Sequence, residues 1–323
     1  SGGDADGLFT SPSLAMPLPS EDPIVVAPSP TPFADDDSVD FAAIERNVER
    51  WLATPLSGFT LNSENGEEAF LSEDERWEIV RTVHRAAGGQ KLIVGGIDSP
   101  SVSETLRMAE RLVEAGADLL RLRIPRLTSN VRGYFEQVVP RAPAPVVINH
   151  QTAPGMFLSG PAAVGGPAEL IGEISSLDNV FAYTMSDNLR FESRVRLFVP
   201  RQKRFWANNG ILLLPSAAVG ANGAAMMLGN VFPHECREVL RLMMAGKLTD
   251  AQSLQTRLVE VDWQILSRGA AGVKAALNLL GFEAGRPRSP SPPCDATAIE
   301  QIRSAVVQVQ QAHGYDALTR DGR

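Results

Sequence analysis

Eight short apolar runs, separated mostly by helical patterns, constrain this chain more than any other feature. They are Pro23 to Ala27, Gly58 to Asn62, Lys91 to Gly96, Asp118 to Pro125, Pro145 to Asn149, Val180 to Thr184, Arg204 to Asn208 and Gly223 to Leu228. Between them apolar residues return every three or four positions, as in Phe41, Ile44, Val48, Trp51 and Leu52 behind Ser38, read as a serine N-cap. Ser72 followed by Glu75 makes a capping box for a helix carrying Ile79, Val80, Val83 and Ala87, which ends at Gly88-Gly89. Strand alternating with helix implies a parallel sheet with right-handed crossovers, and eight such strands close on themselves. The expected fold is α/β, a (β/α)8 TIM barrel.

The pattern stops short of both ends. Residues 1–22 mix Gly, Ser, Pro and acids without periodicity and read as an arm, partly disordered. The barrel is expected over 23–232. Residues 233–323 form a C-terminal helical cap and tail, with helices at Cys236 to Ala245, Thr249 to Leu266 and Ala270 to Leu280. A Pro-rich linker, Arg286 to Pro293, then leads to a last helix from Ala296 to Ala312. Extra helices of this kind cover a flank or build a subunit interface.

Composition excludes several classes of function. A formal charge of −8 over 323 residues argues against a nucleic-acid surface, which needs clustered Lys and Arg. Cys236 and Cys294 are the only cysteines, so neither a disulfide framework nor a thiolate zinc site is suggested. There is no apolar run of membrane-spanning length and no basic-then-apolar leader. A soluble cytoplasmic protein without a membrane partner is expected.

Several stretches together resemble the dihydrodipicolinate synthase and N-acetylneuraminate lyase family of pyruvate-handling aldolases, from about Pro23 to Val307. They are Thr31-Pro-Phe33, Gly66-Glu67, Glu114-Ala-Gly-Ala-Asp118, Asn179, Gly220-Ala-Asn-Gly-Ala224 and Val273-Lys-Ala-Ala-Leu277 with Leu280-Gly281. The resemblance implies a lyase, no cofactor, a small carboxylic-acid metabolite as ligand, and a homo-oligomer, dimer or tetramer. It also implies an imine-forming lysine at the end of strand six, where this chain has Thr184. A hydroxyl cannot form an imine.

Other positions depart together with that one. The family's carboxylate-binding Gly-Thr-Thr-Gly-Glu loop appears as Ser63-Glu64-Asn65-Gly66-Glu67, and its strand-five tyrosine falls on Ile148 or Asn149. The tyrosine pair after strand four falls on Arg126 and Leu127, and the arginine after strand five falls on Ala153. The chain's four lysines do not offer a substitute. Lys91 and Lys203 begin strands three and seven, while Lys247 and Lys274 lie in the cap.

Function in such a barrel sits at the C-terminal strand ends. The polar residues expected there are Glu64, Asn65, Asp98, Arg121, Arg123, Arg126, Asn149, His150, Thr184, Asn208, Asn209 and Asn230. His150, Glu64 and Thr184 are the catalytic candidates; Asn65, Arg123, Arg126, Asn149 and Asn208 are the substrate-binding candidates. Arg121 and Arg123 share a strand face. They form an anion clamp if that face is the barrel interior, and pair with helix carboxylates if it is not.

His150 reads either as an acid or base, or as a loop histidine bonded to backbone or stacked at an interface. Glu64 reads as a desolvated base or a solvent-facing residue. A metal held by His150, Asp98 and Glu64 has no supporting His-x-His spacing, so no metal is expected. The segment 158–166 reads as an insertion, either a lid or a surface elaboration. Two functions remain open: a divergent lyase binding a small 2-oxo or related carboxylic acid without Schiff-base chemistry, and a non-catalytic relative binding a metabolite or a partner.

Overall fold

A computed structural model describes residues 22–124, 130–150 and 166–312 of the protein. Eight strands form a closed parallel barrel in sequence order: β1 (Ile24–Pro28), β2 (Gly58–Leu61), β3 (Leu92–Gly96), β4 (Leu119–Arg123), β5 (Val146–Asn149), β6 (Val180–Thr184), β7 (Arg204–Ala207) and β8 (Gly223–Ala225). The intervening helices are α1 (Phe41–Leu52), α2 (Glu73–Ala87), α3 (Val102–Glu114), α4 (Val131–Val138), α5 (Ala168–Ser175), α6 (Leu189–Val195) and α7 (Leu213–Val219). Next comes α8 (Pro233–Met244), which packs on α7 and β1 and closes the helix ring. Outside that ring lie α9 (Leu248–Leu266), α10 (Gly269–Leu279) and α11 (Ala296–Ala312), all in mutual contact. No helix among the described residues is long and apolar enough to cross a membrane.

Strand parity sorts the core into two layers. Ile24, Val26, Leu92, Val94, Leu119, Val147, Ala182 and Trp206 fill the barrel interior. Alternate residues such as Val25, Phe59, Ile93, Leu120, Ile148 and Tyr183 meet the helices. This alternation is the period-two signal of the sequence expressed as an inner plug and an outer shell.

Local differences from the sequence expectation have local causes. The α1 N-cap is Asp40, whose Oδ1 accepts from the Ala43 N–H at 2.9 Å, not Ser38. Ser38 instead binds the Asp36 carboxylate beside the antiparallel bridge of Phe33 with Val39. Strand β8 ends at Ala225 because the chain turns into a 3-10 helix at Met227–Asn230. There the Asn230 side-chain amide donates to the Pro28 and Met227 carbonyls, which makes this residue a structural tie.

The short motifs that carried the family resemblance meet one another in space. The Thr31 hydroxyl donates to the Gly66 carbonyl at 2.7 Å. Glu67 has a left-handed φ of 59° and is buried, with its carboxylate accepting from Lys274 Nζ at 2.5 Å and from the Arg288 N–H at 2.8 Å. The same Lys274 ammonium donates to the Arg286 carbonyl and lies 4.5 Å from the Phe33 ring centroid. Burial pushes this ammonium down to about 8 although the Glu67 charge opposes the shift. A buried pair thus fastens the loop after β2 to α10.

Removing one member of that pair leaves the other charge buried without compensation. Lys274→Ala is expected to cost about 3 kcal/mol in chemical denaturation, the magnitude typical of a broken buried pair. The double variant Glu67→Gln with Lys274→Met, which keeps an acceptor for the Arg288 N–H, is expected to lose less than Lys274→Ala alone. A double variant worse than the single would mean that the ion pair itself, not the stranded charge, sets the cost.

Candidate functional site

At the C-terminal ends of the strands lies a cavity of about 360 Å³ lined by both polar and apolar side chains. Its floor is set by register: Thr184 pairs with Asn149 on one side and with Trp206 on the other, so all three point inward. Asn149, and not Ile148, is therefore the strand-five residue in the cavity. Room for the Trp206 indole comes from Gly223, where a Cβ would sit 2.5 Å from Nε1. Three buried polar atoms on this floor have no hydrogen-bond partner among the described residues: Thr184 Oγ1, Trp206 Nε1 and Arg121 Nε. Unsatisfied buried polar groups are rare and costly, and several in one cavity mark a place where a ligand's polar atoms fit.

Arg121 and Arg123 do face the interior, but they are not a free anion clamp. Arg121 Nη2 pairs with Asp98 and lies 3.2 Å from Glu68 Oε2. Arg123 reaches Asp98 Oδ2 at 2.9 Å and Glu68 Oε1 at 2.6 Å, and its backbone N–H donates to Asp98 Oδ1 at 2.6 Å. The two guanidiniums are 5% exposed and the Asp98 side chain 2%, so the network is close to dry. Burial alone would raise the Asp98 carboxyl, yet the Arg121 and Arg123 charges hold it below the usual carboxylate range. Burial likewise works against the Arg123 charge, and Asp98 and Glu68 outweigh it. Gly96 makes the packing possible, since a Cβ there would sit 2.5 Å from Arg121 Nη2.

The rim is acidic and amide-rich. Glu64 and Asn65 come from the loop after β2, Asp187 from the residues after β6, and Asn208 and Asn209 from the loop after β7. Leu266 and Gly269 bring the cap to the same mouth. Beneath them Asp262 of α9 accepts from the Ile211 N–H at 3.0 Å and pins the loop after β7. Burial raises its carboxyl to about 7, the Ile211 bond opposing and the charge of Asp187 adding to the shift.

His150 is not in the cavity. It follows Asn149, so strand parity turns it the other way, into the wall between the barrel and α6. There its Nδ1 lies 2.7 Å from the Tyr183 hydroxyl, which also bonds the Glu192 carboxylate at 2.9 and 3.0 Å. Ser186 donates to Glu192 through both N–H and hydroxyl. Burial, with the Glu192 charge beside it, pushes the Tyr183 hydroxyl far above its ordinary range. The expectation that His150 faces the mouth is therefore corrected: it belongs to a buried network behind the wall.

The other expected residues divide clearly. Glu64, Asn65, Arg123, Asn149, Thr184 and Asn208 line the cavity, whereas Arg126 and the insertion at 158–165 lie outside the described residues. Sequence reasoning missed Asp187, Glu68, Trp206 and Asp262. Two inward arginines on one strand were a signal that carboxylates must be near, and the parity of Thr184 and Trp206 was readable. Nothing in the sequence pointed from α9 to the β7 loop.

All four lysines are accounted for elsewhere or lie outside the lining. Lys91 donates to the Thr54 and Leu56 carbonyls and Lys203 to those of Leu177, Asp178 and Val180, both at the opposite end of the barrel. Lys274 is held by Glu67, and Lys247 is exposed at the start of α9. Among the described residues no group of three His, Cys, Asp or Glu side chains comes together as a metal site.

The family profile described as the dihydrodipicolinate synthetase family matches residues 23–309. The chain is 29% identical over 293 residues to a 4-hydroxy-tetrahydrodipicolinate synthase of Methanothrix thermoacetophila, covering 88% of this chain and 96% of that one. A synthase of the same name from Exiguobacterium sp. is 24% identical over 288 residues, covering 87% and 96%. Among solved structures, the dihydrodipicolinate synthase of Cyanidioschyzon merolae with lysine bound superposes with a TM-score of 0.80 at 21% identity, over 88% of this chain and 97% of that one.

The raised Asp262 carboxyl predicts a pH dependence. Folded, it keeps its proton up to about 7; unfolded, it releases it near 3.9. Between these values the folded state binds more protons, so this group's contribution to stability falls as pH rises from about 4 to about 7. Asp262→Asn is expected to be more stable than the parent at pH 8 by roughly 1–3 kcal/mol, with the gain shrinking towards pH 4. Equal stability of the two at pH 8 in urea titrations would remove the burial assigned to this carboxyl.

Proposed function

Since the chain belongs to the dihydrodipicolinate synthetase family and carries Thr184 where the family resemblance calls for a lysine, we propose that it is a divergent lyase-family protein. In this reading it binds a small 2-oxo or related carboxylic acid at the barrel mouth and does so without an imine. The observation that carries this is the Thr184 hydroxyl, buried, without a partner among the described residues, and set in the floor of the cavity at the barrel mouth. Donors for the acid are Thr184, Asn65, Asn149 and Asn208, with Arg126 as a further candidate beyond the described residues. Arg123 acts through the network it holds in place. Proton transfer falls to Glu64, which lines the mouth, because His150 is turned away.

A second reading, ligand binding without turnover, is favoured by two observations: among the described residues no histidine lines the cavity, and both inward guanidiniums are matched by carboxylates. The cytoplasmic setting and the homo-oligomer, dimer or tetramer, belong to the same proposal, with light scattering as the measure of assembly.

Intact-mass spectrometry after incubation with pyruvate and other 2-oxo acids plus borohydride tests the imine-free chemistry. No adduct is expected on the protein, while a lysine-bearing relative treated in parallel gains mass. An adduct mapped to any of Lys91, Lys203, Lys247 or Lys274 would falsify the proposal.

A further inference from the structure

The cap and the mouth meet at a buried carboxylate. Gln255 and Asp262 lie on one face of α9, about two helical turns apart, and both reach the loop after β7. The Gln255 side-chain amide donates to the Gly210 carbonyl at 2.9 Å, and its oxygen accepts from the Leu214 N–H at 2.8 Å. Asp262 Oδ2 accepts from the Ile211 N–H at 3.0 Å, and that N–H is shared, because Asn209 Oδ1 accepts from it at the same distance. Asn209 and its neighbour Asn208 line the mouth. The contact is dry: Asp262 is 2% exposed, and a Cβ on Gly210 would collide with its Oδ1.

Among the described residues the groups that face Asp262 are acids: Asp187 after β6, and from α8 the buried Glu235 and Cys236. The other titratable residues of α8 and α9 lie towards solvent. Of the elements packed on α9, α7 and the 3-10 helix after β8 carry no titratable side chain. Lys274 of α10 is held by Glu67, Arg268 turns to Gln264 and Gln301, and Glu300 of α11 pairs with Arg303. A dry carboxylate with acids for neighbours has nothing to offset its lost hydration, so the neutral form is favoured. Burial accordingly raises this carboxyl to about 7. Once ionised, it regains water only where cap and loop come apart. We propose that Asp262 is a positioning residue and a proton-linked latch: protonated, it holds the loop after β7 on the cap and so places Asn208 and Asn209 at the mouth, and on losing its proton to solvent it lets loop and cap separate. This goes beyond the reading of the mouth as a ligand site and does not depend on which ligand enters.

Hydrogen exchange read by mass spectrometry on the full chain tests the latch without a ligand. In peptides covering Asn208 to Leu214, protection corrected for the intrinsic exchange rate is expected to fall at least about tenfold from about pH 5.5 to about pH 8.5, with peptides from β2 and β3 exchanging more slowly throughout. In Asp262→Asn, which keeps an oxygen for the Ile211 N–H and cannot ionise, the fall should disappear; a purely structural role would lower protection alike at every pH. Asp187→Asn, at an exposed rim position, should move the midpoint of the fall to lower pH because one like charge is gone, and it carries the test if Asp262→Asn does not fold. Protection independent of pH in the parent, an equal fall in Asp262→Asn, an unmoved midpoint in Asp187→Asn, or loop and strands exchanging together overturns the latch. A borohydride-trapped adduct sinks the imine-free reading and leaves the latch untouched, so the two failures are distinguishable.

Discussion

Two arginines inside a barrel set the terms for everything above them. Carrying Arg121 and Arg123 into the interior is expensive unless each charge is met at close range, since desolvation of an ion costs several kcal/mol even after relaxation. Asp98 and Glu68 meet both, from the ends of two different βα connections. The geometry has little slack: Gly96 cannot carry a side chain beside Arg121, and the Arg123 backbone is itself held by Asp98. Four charges then behave as one rigid unit that joins the loop after β2 to β3 and β4.

The surrounding ties serve that unit and the cavity it borders. Glu68 can reach the arginines because its neighbour Glu67 is locked in a left-handed conformation by Lys274 and the Arg288 backbone. Thr31 holds the preceding turn through Gly66. On the far side Asp262 pins the β7 loop and the cap supplies Leu266 and Gly269 to the mouth. The cap is thus part of the site and not only a covering for the barrel.

Much of the fold was legible in the sequence because period-two apolar runs alternating with helical patterns leave few topologies open. The capping box at Ser72 and Glu75 appears as read, with both reciprocal bonds formed. The site was less legible, for physical reasons that differ by residue. His150 was misplaced although the rule that misplaces it is simple: if Asn149 points in, its neighbour points out. The neutralisation of Arg121 and Arg123 was harder to see, because the counter-charges lie 23 and 53 positions away from Arg121 and arrive on loops. Asp262 was invisible, since its raised carboxyl depends on burial under a tertiary contact that no local pattern encodes.

The central claim is that the inward guanidiniums are already matched, so that a simple acid finds no clamp at this mouth. Measuring 2-oxobutyrate affinity in Asp98→Asn against the parent, at a temperature where both are folded, tests it directly. Asparagine keeps an oxygen for the Arg123 N–H while removing one counter-charge, so the account predicts at least about tenfold tighter binding in the variant. Affinity that is unchanged or weaker would contradict the account, because the guanidiniums would then have been available to the acid all along.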